Sequence, residues 1–440
     1  MLEPGTGGHI KKYPDKLMTD YKLRNLTTGR VFDDTGWLLT DPQYDKPTLI
    51  RSEYSVKQID CSNEDNGFYK FSDWLPVNRK LKKSSYPVTY KAEELGDILG
   101  LDNLWITFNG YWPEKGAGMT TCSFKETEAF SVCARLVTSD KVMVVASAGN
   151  TARAFARVCS DNNIPLLLVV PEENLDALWF DSKIEECVKL ISTPKGSDYF
   201  DAIDLASKIC KSGKFFEEGG AKNVARRDGM GTTVLSAATT IGRIPDNYFQ
   251  SIGSGTGAIA AWEANLRLIE DGRFGKNKMK LLPSQNYPFT PMYDAWRAHS
   301  RSLLPFDDNL ERAKALIIKA RVLSNRRPPY SVPGGLYDAL KDTGGDIEIV
   351  DNLELDAACR LFEEVEGIDI HPAAGVALAG MMKSIESGKA DKSSLNMLNI
   401  TGGGDKRFKN ENLIINLKPN FVLDNNTDLA EIIKLAESLF

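Results

Sequence analysis

A doubly wound α/β fold is predicted by the regular alternation of short apolar runs and helical stretches after about residue 100. The valine-rich run KVMVVASAGN (141–150) precedes TARAFARVCSDNN (151–163), whose apolar residues fall on one helical face, and the buried run IPLLLVVPEE (164–173) follows. Strand, turn, helix and strand at this spacing predict a parallel sheet covered by helices.

The same alternation continues to the end of the chain. Helices are expected over 257–272 and 428–440, and residues 1–95, rich in turns and charges, are expected to form short strands and helical turns. Further strands are expected in six apolar runs: NLWITFNGYW (103–112), CVKLIST (187–193), YFQSIGS (248–254), KMKLLPSQ (278–285), GDIEIVDN (345–352) and NMLNITGG (396–403).

Bulk composition argues against several classes of protein. The 440 residues suffice for two or three domains. A formal net charge of −6 argues against a nucleic-acid binder, no apolar run is long enough to span a membrane, and we expect no signal peptide. Seven cysteines without a C-x-x-C pair indicate reduced thiols, mostly in the core, and hence a cytoplasmic protein.

Lys125 lies just inside the start of a predicted helix in SFKETEAF (123–130), with Thr121 and Ser123 as candidate N-caps. A cation is unfavourable there, because the helix dipole already places positive charge at this end. A solvated surface lysine is the ordinary explanation, but the flanking Ser123 and Phe124 are uncharged. An amine held near a binding site can form a Schiff base, so Lys125 is the candidate nucleophile.

Three other loops each place small residues after a predicted strand. In SAGNT (147–151), backbone N–H groups could hold a carboxylate and Asn150 offers an amide, although an ordinary N-cap turn fits as well. Thr401 ends a strand before three glycines, where its hydroxyl could face a ligand or cap the turn. Ligand sites of parallel sheets lie at the carboxyl ends of strands, so these loops are expected to converge.

The third loop is GSGTG (253–257), which precedes a helix and suits a phosphate held by backbone N–H groups. It also matches a dinucleotide fingerprint loosely, but the next strand ends at Pro283 and Ser284, without the acidic residue that binds ribose. A single phosphate is therefore the better interpretation, and a glycine turn without ligand is the alternative.

Together these segments resemble the fold type II pyridoxal-phosphate enzymes, the group of tryptophan synthase β, and most closely the threonine synthases, from about residue 20 to residue 410. Several motifs in the same order make the resemblance more specific than any one motif. The segments that carry it are LWITFNGYWPEKGAGMTTCSFKETEA (104–129), ASAGNTARAFA (146–156), NVARRDGMGTTVLSA (223–237), SIGSGTGAIAAW (251–262), EGIDIHPAAGVALAG (366–380) and NITGGGDKRF (399–408).

The resemblance implies two parallel-sheet α/β domains, with pyridoxal 5′-phosphate in the cleft between them, and an N-terminal arm. Residues 1–95 would form the arm and the start of the large domain, residues 96–124 and 246–440 the large cofactor-binding domain, and residues 125–245 a small mobile domain. Enzymes of this group form homo-oligomers, so a dimer or trimer is expected.

The resemblance also implies a role for each loop. Lys125 would carry the cofactor and act as the catalytic base. The cofactor phosphate would be bound by Gly253, Ser254, Gly255, Thr256 and Gly257. The cofactor ring would be contacted by Asn150 and Thr401. The substrate carboxylate would be bound by Ser147, Ala148, Gly149 and Thr151.

The chain departs from the threonine synthase pattern around the lysine. Residues 120–122 read Thr-Thr-Cys where Pro-Thr-Gly is usual, Glu126 and Thr127 replace Asp-Arg, and His371 replaces a glutamate. In these departures the chain is similar to the cysteate synthases of methanogenic archaea. That family joins O-phospho-L-serine and sulfite to give L-cysteate and phosphate in coenzyme M biosynthesis, so these two substrates are expected here.

Two anionic substrates require local positive charge in a chain that is net negative. Arg153 and Arg226 are expected to bind substrate, and a solvated helix face is the alternative for each cation. The full set of candidates is Arg153, Arg157, Lys222, Arg226 and Arg227.

A metal site is not expected. His9, His299 and His371 are far apart in sequence and lack ligand spacing. The resemblance places Asn25 and Thr28 where some relatives carry paired cysteines, which again implies no metal.

Other functions share parts of this pattern. Threonine synthase activity on O-phospho-L-homoserine and water uses the same cofactor residues, and a dehydratase-like or cysteine-synthase-like enzyme would share the fold. A non-catalytic binding protein of this fold would have little need of Lys125.

Overall fold

The structure is a computed structural model that describes residues 19–62, 64–136 and 140–440. Strands and helices alternate along it as the sequence predicts. The strands are β1 (Tyr21–Asn25), β2 (Val31–Phe32), β3 (Ile50–Tyr54), β4 (Val88–Lys91), β5 (Leu104–Phe108), β6 (Tyr111–Trp112), β7 (Ala117–Gly118), β8 (Val142–Ala146), β9 (Leu166–Pro171), β10 (Trp179–Phe180), β11 (Val188–Thr193), β12 (Phe215–Glu217), β13 (Asn247–Ser251), β14 (Lys280–Asn286), β15 (Glu348–Val350), β16 (Asn396–Ile400), β17 (Ile415–Asn416) and β18 (Phe421–Val422).

The helices vary from one to five turns. Short 3-10 helices cover Glu64–Trp74, Pro113–Lys115, Glu172–Ala177, Gly220–Lys222 and Arg321–Leu323. The α-helices are α1 (Glu93–Leu99), α2 (Lys125–Arg135), α3 (Asn150–Asp161), α4 (Tyr199–Ile209), α5 (Val224–Ile241), α6 (Thr256–Asp271), α7 (Pro291–Arg297), α8 (Asp308–Ile317), α9 (Leu336–Thr343), α10 (Asn352–Glu366), α11 (Pro372–Glu386), α12 (Asp405–Glu411) and α13 (Leu429–Glu437).

The larger sheet has six strands in the order β15-β14-β13-β16-β5-β4, and β4 at its edge runs antiparallel to β5. Its central strands β13 and β16 are buried along their whole length. Helix α11 packs on β13 to β16, and α5 packs on β4 and β5. A parallel sheet covered by helices is buried on both faces, which is why these strands read as uninterrupted apolar runs.

The smaller sheet has five parallel strands in the order β12-β8-β9-β11-β18. The sequence analysis placed all residues after 246 with the larger domain, but β18 pairs with β11 and α13 packs on α4. Leu423, Ile432 and Ala436 lie in the same apolar cluster as the buried residues of α4, because the last helix is amphipathic and covers that side of the small sheet.

Helix α5 lies at the centre of the molecule, in contact with α2 and α6 as well as with the larger sheet. Its Asp228 also receives hydrogen bonds from the arm, at 2.7 Å from Ser52 Oγ and 2.6 Å from Tyr54 Oη, and Arg267 donates to it at 2.6 Å. The strands of the arm, in the order β2-β1-β3, are thereby attached to α5 through buried polar groups.

The structure confirms the predicted α/β class with parallel sheets. Each of the eight apolar runs predicted as a strand contains one. The sequence analysis did not predict β4, β12 or β18, because strands of two to four residues at sheet edges lack a long apolar run.

Gly229→Ala is expected to destabilise the protein by about 2 kcal/mol through overpacking. A Cβ at Gly229 would lie 2.5 Å from the Thr127 carbonyl oxygen and 2.8 Å from Ser131 Cβ, so α2 and α5 would have to separate. Gly231→Ala on the same helix is the matched control, because its Cβ would lie 3.3 Å or more from its neighbours. Urea unfolding measures both, and equal losses would contradict the close-packing argument.

Candidate active site

A cavity opens at the carboxyl ends of β8, β13 and β16, with about 900 Å³ of space including its mouth. The four loops singled out by the sequence all line it. Their contributions are Lys125 with its two preceding residues, residues 147–151, residues 253–255 with Gly257, and Thr401. Thr256 lies just behind this wall, where its hydroxyl is 2.8 Å from that of Ser254.

Lys125 is attached to the larger sheet through backbone hydrogen bonds. The Phe124 N–H donates to the Thr401 carbonyl at 3.0 Å, and Ser123 and Gly402 form an antiparallel bridge. Lys125 is the first residue of α2, and the N-cap position belongs to Phe124 rather than to Thr121 or Ser123. The Ser123 hydroxyl accepts the Lys125 N–H at 3.3 Å instead. The backbone contacts hold Lys125 and Thr401 in adjoining segments of one cavity wall.

The segment before Lys125 has a strained backbone at Cys122 and is stabilised by hydrogen bonds to Glu126. Cys122 has a φ of +51°, in the left-handed region that favours glycine, which is the residue usual at this position in the threonine synthase pattern. The buried carboxylate of Glu126 accepts the Thr121 N–H at 2.9 Å and its hydroxyl at 2.8 Å, and accepts the Ser85 hydroxyl as well. Burial raises the pKa of Glu126, against the effect of these hydrogen bonds.

Charge around the Lys125 amine is compensated by a buried network. Its Nζ lies 3.0 Å from Glu128 Oε2, and the other oxygen of Glu128 lies 2.7 Å from Arg226 Nη1. Arg226 also pairs with Glu218, through Nε at 2.9 Å and a second contact from Nη2. The Glu128 side chain has no exposed surface and that of Lys125 is 22% exposed, so the carboxylate stays buried behind the two cations that reach the cavity wall.

The glycine loop is shaped as an anion cradle at the start of α6, which begins at Thr256 and runs for 16 residues. A Cβ at Gly253 would lie 2.7 Å from Leu323 Cα, and one at Gly257 would lie 2.4 Å from Gln250 Nε2. Gly255 has a φ of +78°. Glycine is therefore required at 253 by the Leu323 backbone and favoured at 255 by its φ, and the bare backbone N–H groups of a helix start suit a phosphate.

The loop at residues 147–151 forms a second helix start. Gly149 has a φ of +143°, and the Ser147 hydroxyl accepts the N–H groups of Gly149 and Ala152, each at 3.0 Å. Asn150 is the first residue of α3 and lines the cavity. The positive end of α3 thus lies in the same cavity as the start of α6, where it suits a carboxylate.

Of the five predicted cations, Arg226 lines the cavity. The prediction that Arg153 binds substrate is wrong for this structure. Its guanidinium donates to the Thr121 carbonyl at 2.9 and 3.2 Å and to the Ala177 carbonyl at 2.9 Å, and it stacks on Trp179 at 4.1 Å. Arg153 therefore supports the Lys125 segment from behind.

The other predicted cations lie outside the cavity wall. Arg157 pairs with Asp161 at 2.5 Å, Arg227 pairs with Glu263 at 2.9 Å, and Lys222 ends a 3-10 helix. The two arginines are committed to neighbouring carboxylates, which leaves no direct role for them in substrate binding.

Several lining residues were not predicted as site residues. Tyr199 at the start of α4 and the loop 322–325 carry no motif that the sequence could reveal. His371 was noted as a departure from the threonine synthase pattern, and the structure places it and Ala373 in the wall. Such residues reach the cavity through the tertiary fold alone.

These residues fit pyridoxal phosphate by their chemistry. The cavity holds a primary amine for an aldehyde, a glycine cradle for a phosphate, and an uncharged hydroxyl at Thr401. Among the described residues, no group of three or more His, Cys, Asp or Glu side chains could hold a metal ion, and His9 lies outside them. Within the same residues, no helix has the length and apolarity needed to cross a bilayer.

Glu128→Gln is expected to lower the free energy of unfolding by about 3 kcal/mol, because it removes the buried countercharge of Lys125 and leaves Arg226 with Glu218 alone. Glu186→Gln is the matched control, since it removes the same type of pair, three residues apart, on the surface. Urea unfolding is expected to show no measurable change for the control. Equal effects of the two substitutions would contradict a role for burial.

Glu126→Gln is expected to gain stability relative to the parent as pH rises from about 4 to 8. The raised pKa means that the folded protein binds this proton more tightly than the unfolded chain does. The resulting stabilisation is present below the ordinary pKa of glutamate and is lost as pH rises through the raised value, and glutamine cannot ionise. Urea unfolding across this range measures the difference, and a difference independent of pH would contradict the assignment.

Comparison with known proteins indicates the same cofactor as the chemistry of the cavity. The family model for pyridoxal-phosphate dependent enzymes matches residues 91–402. The chain is 48% identical to the cysteate synthase of Methanosarcina acetivorans over 421 residues, which cover 95% of this chain and 100% of that one. It is 47% identical to the cysteate synthase of Methanocorpusculum labreanum over 398 residues, which cover 90% and 95%.

Solved structures share the fold at low identity. Maize serine racemase superimposes with a TM-score of 0.57 at 14% identity, over 74% of this chain and 91% of that one. Threonine deaminase isoform 2 from Solanum lycopersicum gives 0.51 at 17% identity, over 83% and 92%. The fold is therefore that of the type II enzymes, and the chain belongs to the cysteate synthase family of pyridoxal-phosphate dependent enzymes, with pyridoxal 5′-phosphate as its cofactor.

Proposed function

We propose that this enzyme converts O-phospho-L-serine and sulfite into L-cysteate and phosphate. The observation that supports this most directly is the 48% identity to a cysteate synthase over nearly the whole chain. The cavity supplies what the reaction needs, since it combines the Lys125 amine with two helix starts that suit anions.

The roles proposed for the cavity residues are those that the family resemblance implies, and their positions in the wall support them. Bound pyridoxal phosphate supplies an electron sink that acidifies the Cα proton of the attached amino acid. Residues 253–257 would hold the phosphate of the cofactor, Asn150 and Thr401 would contact its ring, and residues 147–151 would hold the substrate carboxylate. The Thr401 hydroxyl brings no charge to the ring, which favours elimination at Cβ over longer-range delocalisation.

Lys125 moves the proton. Its amine takes the Cα proton and later returns it to the same carbon. Glu128, 3.0 Å from Nζ, compensates the positive charge that the amine then carries. Arg226 shares this carboxylate, so the charge stays distributed over a buried network while the chemistry proceeds.

The bonds balance without any further reactant. The Cβ–O bond breaks and its electron pair leaves with phosphate. The sulfur lone pair of sulfite then forms the new Cβ–S bond. The proton that was removed from Cα finally returns to Cα.

The proposal also covers the cellular location and the oligomeric state of the enzyme. All seven cysteines are free thiols, which supports a reducing, cytoplasmic environment. We also expect a homo-oligomer, as the resemblance to this group of enzymes implies.

The purified enzyme loaded with pyridoxal phosphate is expected to release phosphate from O-phospho-L-serine and to form L-cysteate in a sulfite-dependent manner. A parallel reaction contains O-phospho-L-homoserine, and amino-acid analysis identifies the product of each. Lys125→Ala is the control and is expected to lose the activity by a factor of at least about 1,000, since it removes the proton-transferring amine. Threonine from phosphohomoserine without any cysteate would assign the enzyme to the threonine synthase reaction instead.

A further inference from the structure

Three anionic groups must be held in the cavity during the proposed reaction, and two of them already have a binding element. The start of α6 suits the cofactor phosphate and the start of α3 suits the substrate carboxylate. The third is the oxyanion on Cβ, which is phosphate in the substrate and the sulfur group in the product. Residues 147–151 and 253–257 are assigned to the other two anions in the proposed function, so this group needs a further partner.

Cationic side chains in the cavity wall do not supply that partner. Lys125 attaches the cofactor and carries the Cα proton. Arg226 is held between Glu128 and Glu218, so its charge is already neutralised by two buried carboxylates. The remaining lining side chain that can carry a positive charge or donate from a ring nitrogen is His371.

His371 is held in one position and one tautomer. Its backbone N–H donates to the Gly402 carbonyl at 2.9 Å, and the adjoining Ile370 forms a bridge with Gly403. Its ring caps α11, because Nδ1 accepts the Ala373 N–H at 3.3 Å. Since Nδ1 acts as the acceptor, the proton of the neutral ring lies on Nε2.

The Nε2–H donor has no hydrogen-bond acceptor in the part of the chain that the structure describes. Burial lowers the pKa of His371; Asp405 on α12 opposes this effect, whereas Arg153 on α3 and Lys409 on α12 add to it. Burial thus favours the neutral ring, which offers one donor at Nε2. Such a donor can bind a dianion on entry without holding the product sulfonate as tightly as a fixed cation would.

We propose that the Nε2–H of His371 binds the oxyanion attached to Cβ, and that His371 is therefore a specificity-determining residue for anionic substituents. The inference rests on the proposed function and adds a residue to it. A carboxylate at this position, as in the threonine synthase pattern, would repel the incoming sulfite, whereas a neutral donor attracts it. The substrate phosphate, sulfite and the product sulfonate present the same oxygen chemistry to this donor in turn.

The test separates the oxyanion from the rest of the amino acid. Holoenzyme is titrated with L-cysteate and with L-alanine, which lacks the oxyanion, and the change in cofactor absorbance gives each dissociation constant. His371→Asn keeps a helix-capping oxygen but is too short to place a donor at the Nε2 position. We expect it to weaken L-cysteate binding by about tenfold or more, as for loss of a hydrogen bond to a charged group, and to leave L-alanine binding unchanged.

His371→Gln places an amide donor near the original Nε2 and is expected to recover part of the cysteate affinity. The KM for sulfite and for O-phospho-L-serine is expected to rise in His371→Asn in the same proportion, without loss of Lys125 reactivity towards borohydride in the holoenzyme. Equal weakening of L-cysteate and L-alanine binding, or no weakening of either, would overturn the inference. A parent enzyme that makes no cysteate would instead overturn the proposed function.

Discussion

The antiparallel contact between residues 122–124 and residues 401–403 is the constraint on which the rest of the site depends. Through it the start of α2 is hydrogen bonded to the loop after β16, so the Lys125 amine is placed against the carboxyl edge of the larger sheet. The contact requires a close approach, because a Cβ at Gly402 would lie 2.7 Å from the Cys122 carbonyl oxygen. The glycines after Thr401 and the left-handed backbone at Cys122 are both consequences of this approach.

Charge in this molecule is arranged locally rather than globally. The chain carries a net charge of −6, yet its reaction site is built for anions. Most of the buried arginines are used to support structure, as Arg153 is under the Lys125 segment and Arg227 is beside Glu263. In the proposed function the anions are bound by helix starts and by a single side-chain donor instead.

The elements that could be predicted from the sequence are those that a local residue pattern determines. Buried parallel strands such as β8 and β9 read as apolar runs, and the glycine loop and Lys125 stand out through residue types that ordinary turns do not need. Tertiary geometry decided the rest. Arg153 lies one helical turn after Asn150, but its guanidinium is bound by the Thr121 and Ala177 carbonyls and by Trp179, partners that are distant in sequence. His371 reached the cavity through the bridge between Ile370 and Gly403, which no local pattern encodes.

The C-terminal tail joins the two sheets a third time. The chain first passes from the larger to the smaller sheet between β5 and β8, returns between β12 and β13, and crosses again after β16, where β17 and β18 pair with β10 and β11. A unit held by two crossings can rotate about the line that joins them. A third crossing adds a further restraint on such rotation. The last thirty residues therefore tie the smaller sheet to the larger one, although none of them lines the cavity.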